Sequence, residues 1–145
     1  MTQAGLAQNP RPLRLSIVAT LLLLTFQSWL GDFVNVFVTT SATSAVPFSD
    51  FTQALVNEGP ALVVHALVGF LVFLSGVGVL VVSLRRGDRR VKIAAALALL
   101  AVVSAGVGGI LFVLSGFGAG GSSMQMGGSF VAAYALYFIT LYYTK

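Results

Sequence analysis

The chain has 145 residues, of which 57% are hydrophobic and only 8% are charged, and its mean hydropathy is +0.96. This composition excludes an ordinary water-soluble domain and indicates one integral membrane unit. The net charge is +4. The absence of cysteine excludes disulfides, thiolate metal sites and iron–sulfur clusters.

Four apolar runs are long enough to cross a bilayer, which takes about 20 residues of helix. They cover residues 15–38, 60–84, 91–115 and 123–143. No run alternates apolar and polar residues with a period of two. We therefore expect helices rather than barrel strands, because backbone polar groups in lipid must be paired within their own segment. The predicted fold is all-α: a single-domain, four-helix transmembrane bundle.

The first run has a second interpretation, because Arg11 and Arg14 followed by an apolar stretch resemble a secretory signal peptide. However, the apolar character continues to Val38, and the nearest small-residue cleavage site, at residues 43–45, lies too far downstream. We expect a helix that is retained.

The predicted outer loop, residues 39–59, has features of a short helix. Ser49 can cap it, Phe51 and Leu55 share one face, and Gly59 can end it before the next span. Such a helix could lie in the membrane interface and cover the bundle. A plain connecting loop is equally compatible with the sequence.

The second run contains the only histidine of the chain, His65. An imidazole is costly in hydrocarbon and usually faces a bundle interior, a cofactor or a partner. Gly69 follows one helical turn later on the same face, and its missing side chain leaves room beside the imidazole for something flat.

All basic residues fall on one predicted side of the membrane, and they are Arg11, Arg14, Arg85, Arg86, Arg89, Arg90, Lys92 and Lys145. The positive-inside rule then predicts that both termini are cytoplasmic in a multi-pass protein of the cell membrane. The positive net charge is explained by this orientation in the membrane and does not indicate nucleic-acid binding. Contact of the basic turn at 85–90 with anionic lipid headgroups is the alternative to a simple topology anchor.

The third run carries small residues four apart at Ala101, Ala105 and Gly109. Such stripes let helix backbones approach closely, which favours packing where lipid offers no hydrophobic drive.

The fourth run places Met126 at about the depth of His65, since both lie a few residues, or about 5 to 8 Å, below the outer boundary. In a bundle connected in sequence order, the second and fourth helices lie across the diagonal, which is wide enough for a porphyrin. Imidazole and thioether are a known axial pair for haem iron. Met124 competes with Met126 for the ligand role. The polar residues expected near this level are Gln27, Asp32 and Gln125.

Five stretches of the sequence carry a family resemblance, and they are residues 30–34, 65–69, 85–90, 106–116 and 126–129. In these stretches the chain resembles one four-helix half of the heme A synthase family. The resemblance implies a haem held from the second and fourth helices, with His65 in the place of the second-helix histidine. It implies a link to respiratory haem or electron transfer.

The departures concern the residues of catalysis. Leu62 stands where the catalytic half of the family has a carboxylate, Ala66 where an arginine is frequent, and Met126 where a helix 4 histidine is expected. The resemblance therefore implies a module that holds haem b and is not catalytic, and no catalytic residue is assigned. In this hypothesis His65 ligates the iron, Met126 or a second subunit supplies the other axial ligand, and Gly69 clears the ring.

Two hypotheses from different classes follow. The first is the haem b module. The second is a cofactor-free structural or assembly subunit of a larger membrane complex, in which the glycine-rich faces and the outer loop are the contacts. The expected partners are membrane lipids and either further copies of the chain or other membrane subunits.

Overall fold

The computed structural model describes residues 10–37, 44–86 and 88–144. Within these ranges the chain forms no strand and five α-helices, which are α1 (Arg11–Phe37), α2 (Phe51–Asn57), α3 (Pro60–Leu84), α4 (Arg89–Leu114) and α5 (Gly120–Tyr143). The four longer helices are long and apolar enough to cross a membrane. The prediction of an all-α fold with four spanning helices is confirmed. Val38, Lys145 and residues 39–43 of the predicted loop lie outside the described residues.

The long helices begin earlier than the apolar runs, except for α3, which covers the same residues as the second run. The cause is visible at α4, where Asp88 is the N-cap and its carboxylate accepts a hydrogen bond of 2.8 Å from the backbone N–H of Arg90. A helix begins at its cap, whereas a hydropathy pattern begins at the first apolar residue.

The four long helices form a ring in the order α1, α3, α4, α5, each antiparallel to its neighbours. Two contacts at different levels show the direction of α1 and α3, because Thr20 meets Ser75 and Gln27 meets His65. Between α1 and α5, Thr25 meets Tyr134, and Arg14 lines one groove with Thr144. The α4–α5 interface is the most extensive, and α3 and α5 lie across the diagonal. We call the two ends of the bundle the His65 end and the basic end, the latter formed by the first turns of α1 and α4 and the last turns of α3 and α5.

Small residues allow α4 and α5 to approach closely. A Cβ at Gly108 would lie 3.0 Å from the carbonyl oxygen of Ser122 and 3.1 Å from the backbone nitrogen of Met126. The buried side of α4 continues with Ala94, Ala95 and Ala98. Backbone-to-backbone packing of this kind is how membrane helices gain contact without a hydrophobic drive.

A second apolar cluster closes the His65 end. Phe51, Ala54 and Leu55 of α2 pack against a buried group formed by Leu62, Val113 and Phe117. Of the two interpretations of the predicted outer loop, the short helix is therefore the one found, and it covers the bundle. One detail was wrong: Ser49 does not cap α2, because its hydroxyl donates to the carboxylate of Asp50, which precedes the helix.

The loop is attached to the end of α4 by backbone contacts. The N–H of Val46 donates to the carbonyl oxygen of Leu114 at 2.8 Å. Gly116 ends the helix in a left-handed conformation (φ 68°), and a Cβ there would collide with the carbonyl oxygen of Ser44. Gly116 is therefore required both for the turn and for the close passage of the loop.

Candidate functional site

His65 lies in the second turn of α3 and packs against α1. Its Nε2 atom is 3.2 Å from Nε2 of Gln27, within hydrogen-bond distance. Its Cε1 atom lies 3.1 Å from the position that a Cβ would take at Gly31. The imidazole thus rests on the backbone of α1 and is bonded to the side chain one turn earlier on that helix.

Gln27 makes the reciprocal contact on α3. A Cβ at Gly69 would lie 3.1 Å from the amide nitrogen of Gln27. The arrangement is reciprocal: the large polar side chain of each helix lies against a glycine of the other helix. On each helix, the polar residue and the glycine are one turn apart. We call Gln27, Gly31, His65 and Gly69 the α1–α3 polar cluster.

The α1–α3 polar cluster is not fully hydrogen-bonded. As the amide donates to Nε2 of the imidazole, Oε1 of Gln27 and Nδ1 of His65 are both buried and have no partner among the described residues. A buried polar atom without a partner carries a desolvation cost of about 1–3 kcal/mol. The cluster is thus the place in this end of the bundle where a further polar group would be bound most favourably.

The space predicted beside His65 has an occupant. Gly69 does make room for a flat group, but the group that lies there is the carboxamide of Gln27. The sequence placed Gln27 near the level of His65 without specifying the contact. Gly31 was missed, although the matching spacing of Gln27 with Gly31 and of His65 with Gly69 was a signal available in the sequence.

Met126 lies at a similar depth to His65 but on the diagonal helix. It is six residues into α5, and its sulfur lies 3.5 Å from the position that a Cβ would take at Gly109 of α4. Met124, the competing candidate, is 81% exposed and points away from the bundle. The structure thus brings His65 together with Gly69 through Gln27, and it places Met126 in a separate interface, between α4 and α5.

The other two polar residues expected near this level do not join His65. Asp32 is exposed. Gln125 donates from Nε2 to the carbonyl and hydroxyl oxygens of Ser104 at 3.4 Å, and Ser129 donates to the same hydroxyl at 2.9 Å. These bonds tie α5 to α4, and within the described ranges no group of three or more histidine, cysteine or acidic residues could hold a metal ion.

A haem can be compared with this packing directly. Imidazole and thioether are suitable donors in type. However, both ring nitrogens of His65 face α1, because Nε2 is bonded to Gln27 and a Cβ at Gly31 would lie 3.8 Å from Nδ1. The residues do not fit a haem between α3 and α5 unless the imidazole turns away from Gln27.

A second buried polar side chain, Tyr137, lies in the middle of the bundle. It is fully buried on α5, and its hydroxyl reaches Gly76 of α3 without a hydrogen-bond partner among the described residues.

No family model, curated protein or solved structure matches the chain. The resemblance to a half of heme A synthase therefore rests on the five sequence stretches alone.

Proposed function

We propose that the chain is a structural subunit of a larger membrane assembly, without a cofactor of its own, and that it packs against other membrane helices through one face of α5. The observation that carries this proposal is the composition of that face. We call it the α5 small-residue face. Its members are Gly120, Gly121, Gly127, Gly128, Ala132 and Ala135, all exposed, and Met124 and Val131 are the large exposed side chains on the same side of the helix.

The α5 small-residue face is open to a neighbouring helix. Apart from the surrounding turns of α5 itself, no described atom comes within 4 Å of the position that a Cβ would take at Gly127 or Gly128. The outward side of α1, in contrast, carries large apolar side chains suited to lipid, among them Leu22, Phe26 and Trp29. Small residues are favoured where a second helix backbone approaches, as the packing of Gly108 within this bundle illustrates.

The polar side chains inside the bundle support a structural role. Several of them bond to one another across helix pairs: Thr20 to Ser75 at 2.6 Å, Gln27 to His65 at 3.2 Å, and Ser129 to Ser104 at 2.9 Å. Interhelical hydrogen bonds of this kind contribute about 0.6 kcal/mol each on average in a membrane protein. They hold the helices in register and leave few groups for chemistry.

The test is the oligomeric state of the full chain in mild detergent. We expect the wild type to purify at a fixed stoichiometry, either with further copies of itself or with other membrane subunits. Gly128→Leu should abolish that association, because the side chain would separate the backbones. Gly78→Leu is the matched control, since Gly78 is an exposed glycine with open space on α3. A wild-type monomer, or equal loss in both variants, would contradict the proposal.

A haem b module linked to respiratory haem or electron transfer is the second candidate. The observation that favours it is that Nδ1 of His65 has no partner among the described residues, so that a turn of the imidazole would break only its bond to Gln27. Met126 at similar depth across the diagonal supplies a second donor. In this candidate His65 and Met126 hold the iron after the imidazole turns away from Gln27, and the resemblance to a non-catalytic heme A synthase half points the same way. The haem would supply one-electron chemistry.

An absorption spectrum of the full chain purified from haem-replete cells tests this candidate. It predicts a Soret band that is lost in His65→Ala, is shifted in Met126→Leu and is unchanged in Met124→Leu, because Met124 points away from the bundle. A colourless protein that also binds no haem on titration would rule it out. In that case the structural proposal stands unaffected, because it depends on α5.

We further propose that the basic end faces the cytoplasm of the cell membrane. Support comes from the charges at the two ends. Arg11, Arg14, Arg85 and Arg89 lie at the basic end, whereas Asp32 lies toward the His65 end. This asymmetry is typical of the positive-inside rule.

A further inference from the structure

A groove at the basic end runs between the first turns of α1 and the last turns of α5. Arg14 lines it from α1, and Tyr142, Tyr143 and Thr144 line it from α5. Phe138 and Ile139, one turn earlier on α5, line its part nearer the middle of the bundle. The groove is therefore polar and basic at its rim and apolar below.

The charge at the rim is positive. No carboxylate of the described residues lines the groove. Asp88 is the only described acidic residue at this end, and it caps α4. The guanidinium carbon of Arg90 lies 5.8 Å from the ring centroid of Tyr143, a cation–π distance that holds this ring at the rim and brings a second cation near it.

The helix ends modify this charge in opposite directions. The N-terminus of α1 adds a positive partial charge beside Arg14, whereas the last carbonyls of α5 are negative. One of these carbonyls, that of Leu141, accepts a hydrogen bond of 2.7 Å from the hydroxyl of Thr144, which reduces its exposure to the groove. The balance at the rim therefore favours an anion.

We propose that this groove binds one anionic phospholipid, with its phosphate at Arg14 and an acyl chain along Phe138 and Ile139. The order of groups along the groove matches that of a phospholipid from headgroup to chain. The level also matches, because tyrosine side chains at the end of a spanning helix mark the interface where headgroups lie. Basic side chains at that level attract anionic lipids.

The experiment measures lipid retained by the full chain in native mass spectrometry, after incubation in detergent with phosphatidylglycerol or with phosphatidylcholine. The wild type should retain phosphatidylglycerol in preference to phosphatidylcholine. Arg14→Gln should weaken that retention by about fivefold. Arg85→Gln is the matched control: it removes the same charge at the same end, but Arg85 does not line the groove, so retention should change less than twofold.

Two further measurements keep the test decisive. Ile139→Trp fills the apolar part of the groove without changing the charge, and it should lower retention of phosphatidylglycerol even if Arg14→Gln fails to fold. Inorganic phosphate should not displace the lipid, and displacement would identify a phosphate-ion site in place of a lipid site. Equal retention of both lipids, or equal loss in Arg14→Gln and Arg85→Gln, would overturn the proposal, since the attraction would then be a property of the whole basic end.

Discussion

Tyr137 crosses the middle of the bundle from α5 to α3, and a glycine at position 76 leaves room for its hydroxyl. A Cβ at Gly76 would lie 2.5 Å from that oxygen. The hydroxyl is fully buried and has no hydrogen-bond partner among the described residues. The side chain therefore fits closely against Gly76, although its hydroxyl makes no hydrogen bond that would offset the cost of its burial.

We expect Gly76→Ala to lower the free energy of unfolding by about 1–3 kcal/mol, the usual effect of overpacking a core. Tyr137→Phe should be neutral or stabilising, because it removes an unpaired buried hydroxyl. The double variant should recover part of the loss, since the atom that collides with the new methyl group is then absent. Unfolding in mixed micelles measures all three, and a double variant whose loss is the plain sum of the two would contradict this contact.

The α1–α3 polar cluster shows what can be read from a residue pattern. His65 stands out in the sequence, because one imidazole in an apolar run is a local feature. Its partner was not determined in the same way. Gln27 and Asp32 are both polar and near the same level of α1, yet only Gln27 lies on the face that meets α3. That choice depends on the rotation of α1 within the bundle.

At the scale of elements, the interface between α4 and α5 depends on Gly108. Its neighbours are backbone atoms of Ser122 and Met126, which cannot move aside as a flexible side chain could. The sequence indicated a stripe at Ala101, Ala105 and Gly109, whereas the closest backbone approach is at Gly108, one position away. The stripe indicates which side of α4 can approach another helix, whereas the residue at which the two backbones come closest is decided by how α5 packs against it.

Gly108→Ala should therefore separate α4 from α5 and lower the free energy of unfolding by about 1–3 kcal/mol. Gly106→Ala is the matched control on the same helix, because no described atom lies within 4 Å of its Cβ position. The control should be neutral, or stabilising by up to about 1 kcal/mol through helix propensity. The comparison is made by unfolding in mixed micelles, and similar losses in both variants would mean that α4 and α5 do not meet as closely as described.

At the scale of the whole molecule, the two ends differ in chemistry. The His65 end is covered by α2 and the loop that binds the end of α4, and the basic end carries arginines, tyrosines and the proposed lipid groove. Such a division is typical of a protein that meets different surroundings on the two sides of a membrane.

The absence of native cysteine makes the orientation easy to measure. We expect Ala45→Cys, exposed at the His65 end, to react with a membrane-impermeant maleimide on intact cells, because that end should face outward. Arg85→Cys, exposed at the basic end, should react only after the membrane is permeabilised. The opposite pattern of labelling would show that the basic residues do not follow the positive-inside rule.

The sequence by itself determined the all-α class and the four spans, because hydropathy and length are local properties and lipid forces each span to pair its own backbone. It also singled out His65 as a polar side chain in an apolar span, and it offered the short helix before the second span as one of two interpretations. Only the tertiary structure decided that His65 bonds to Gln27, that Met126 faces the bundle while Met124 does not, and that Tyr137 is buried at Gly76. These contacts follow from the rotation and crossing of each helix. In a chain apolar on every side, no amphipathic pattern specifies those angles, and the shapes of glycine and large side chains on facing helices do.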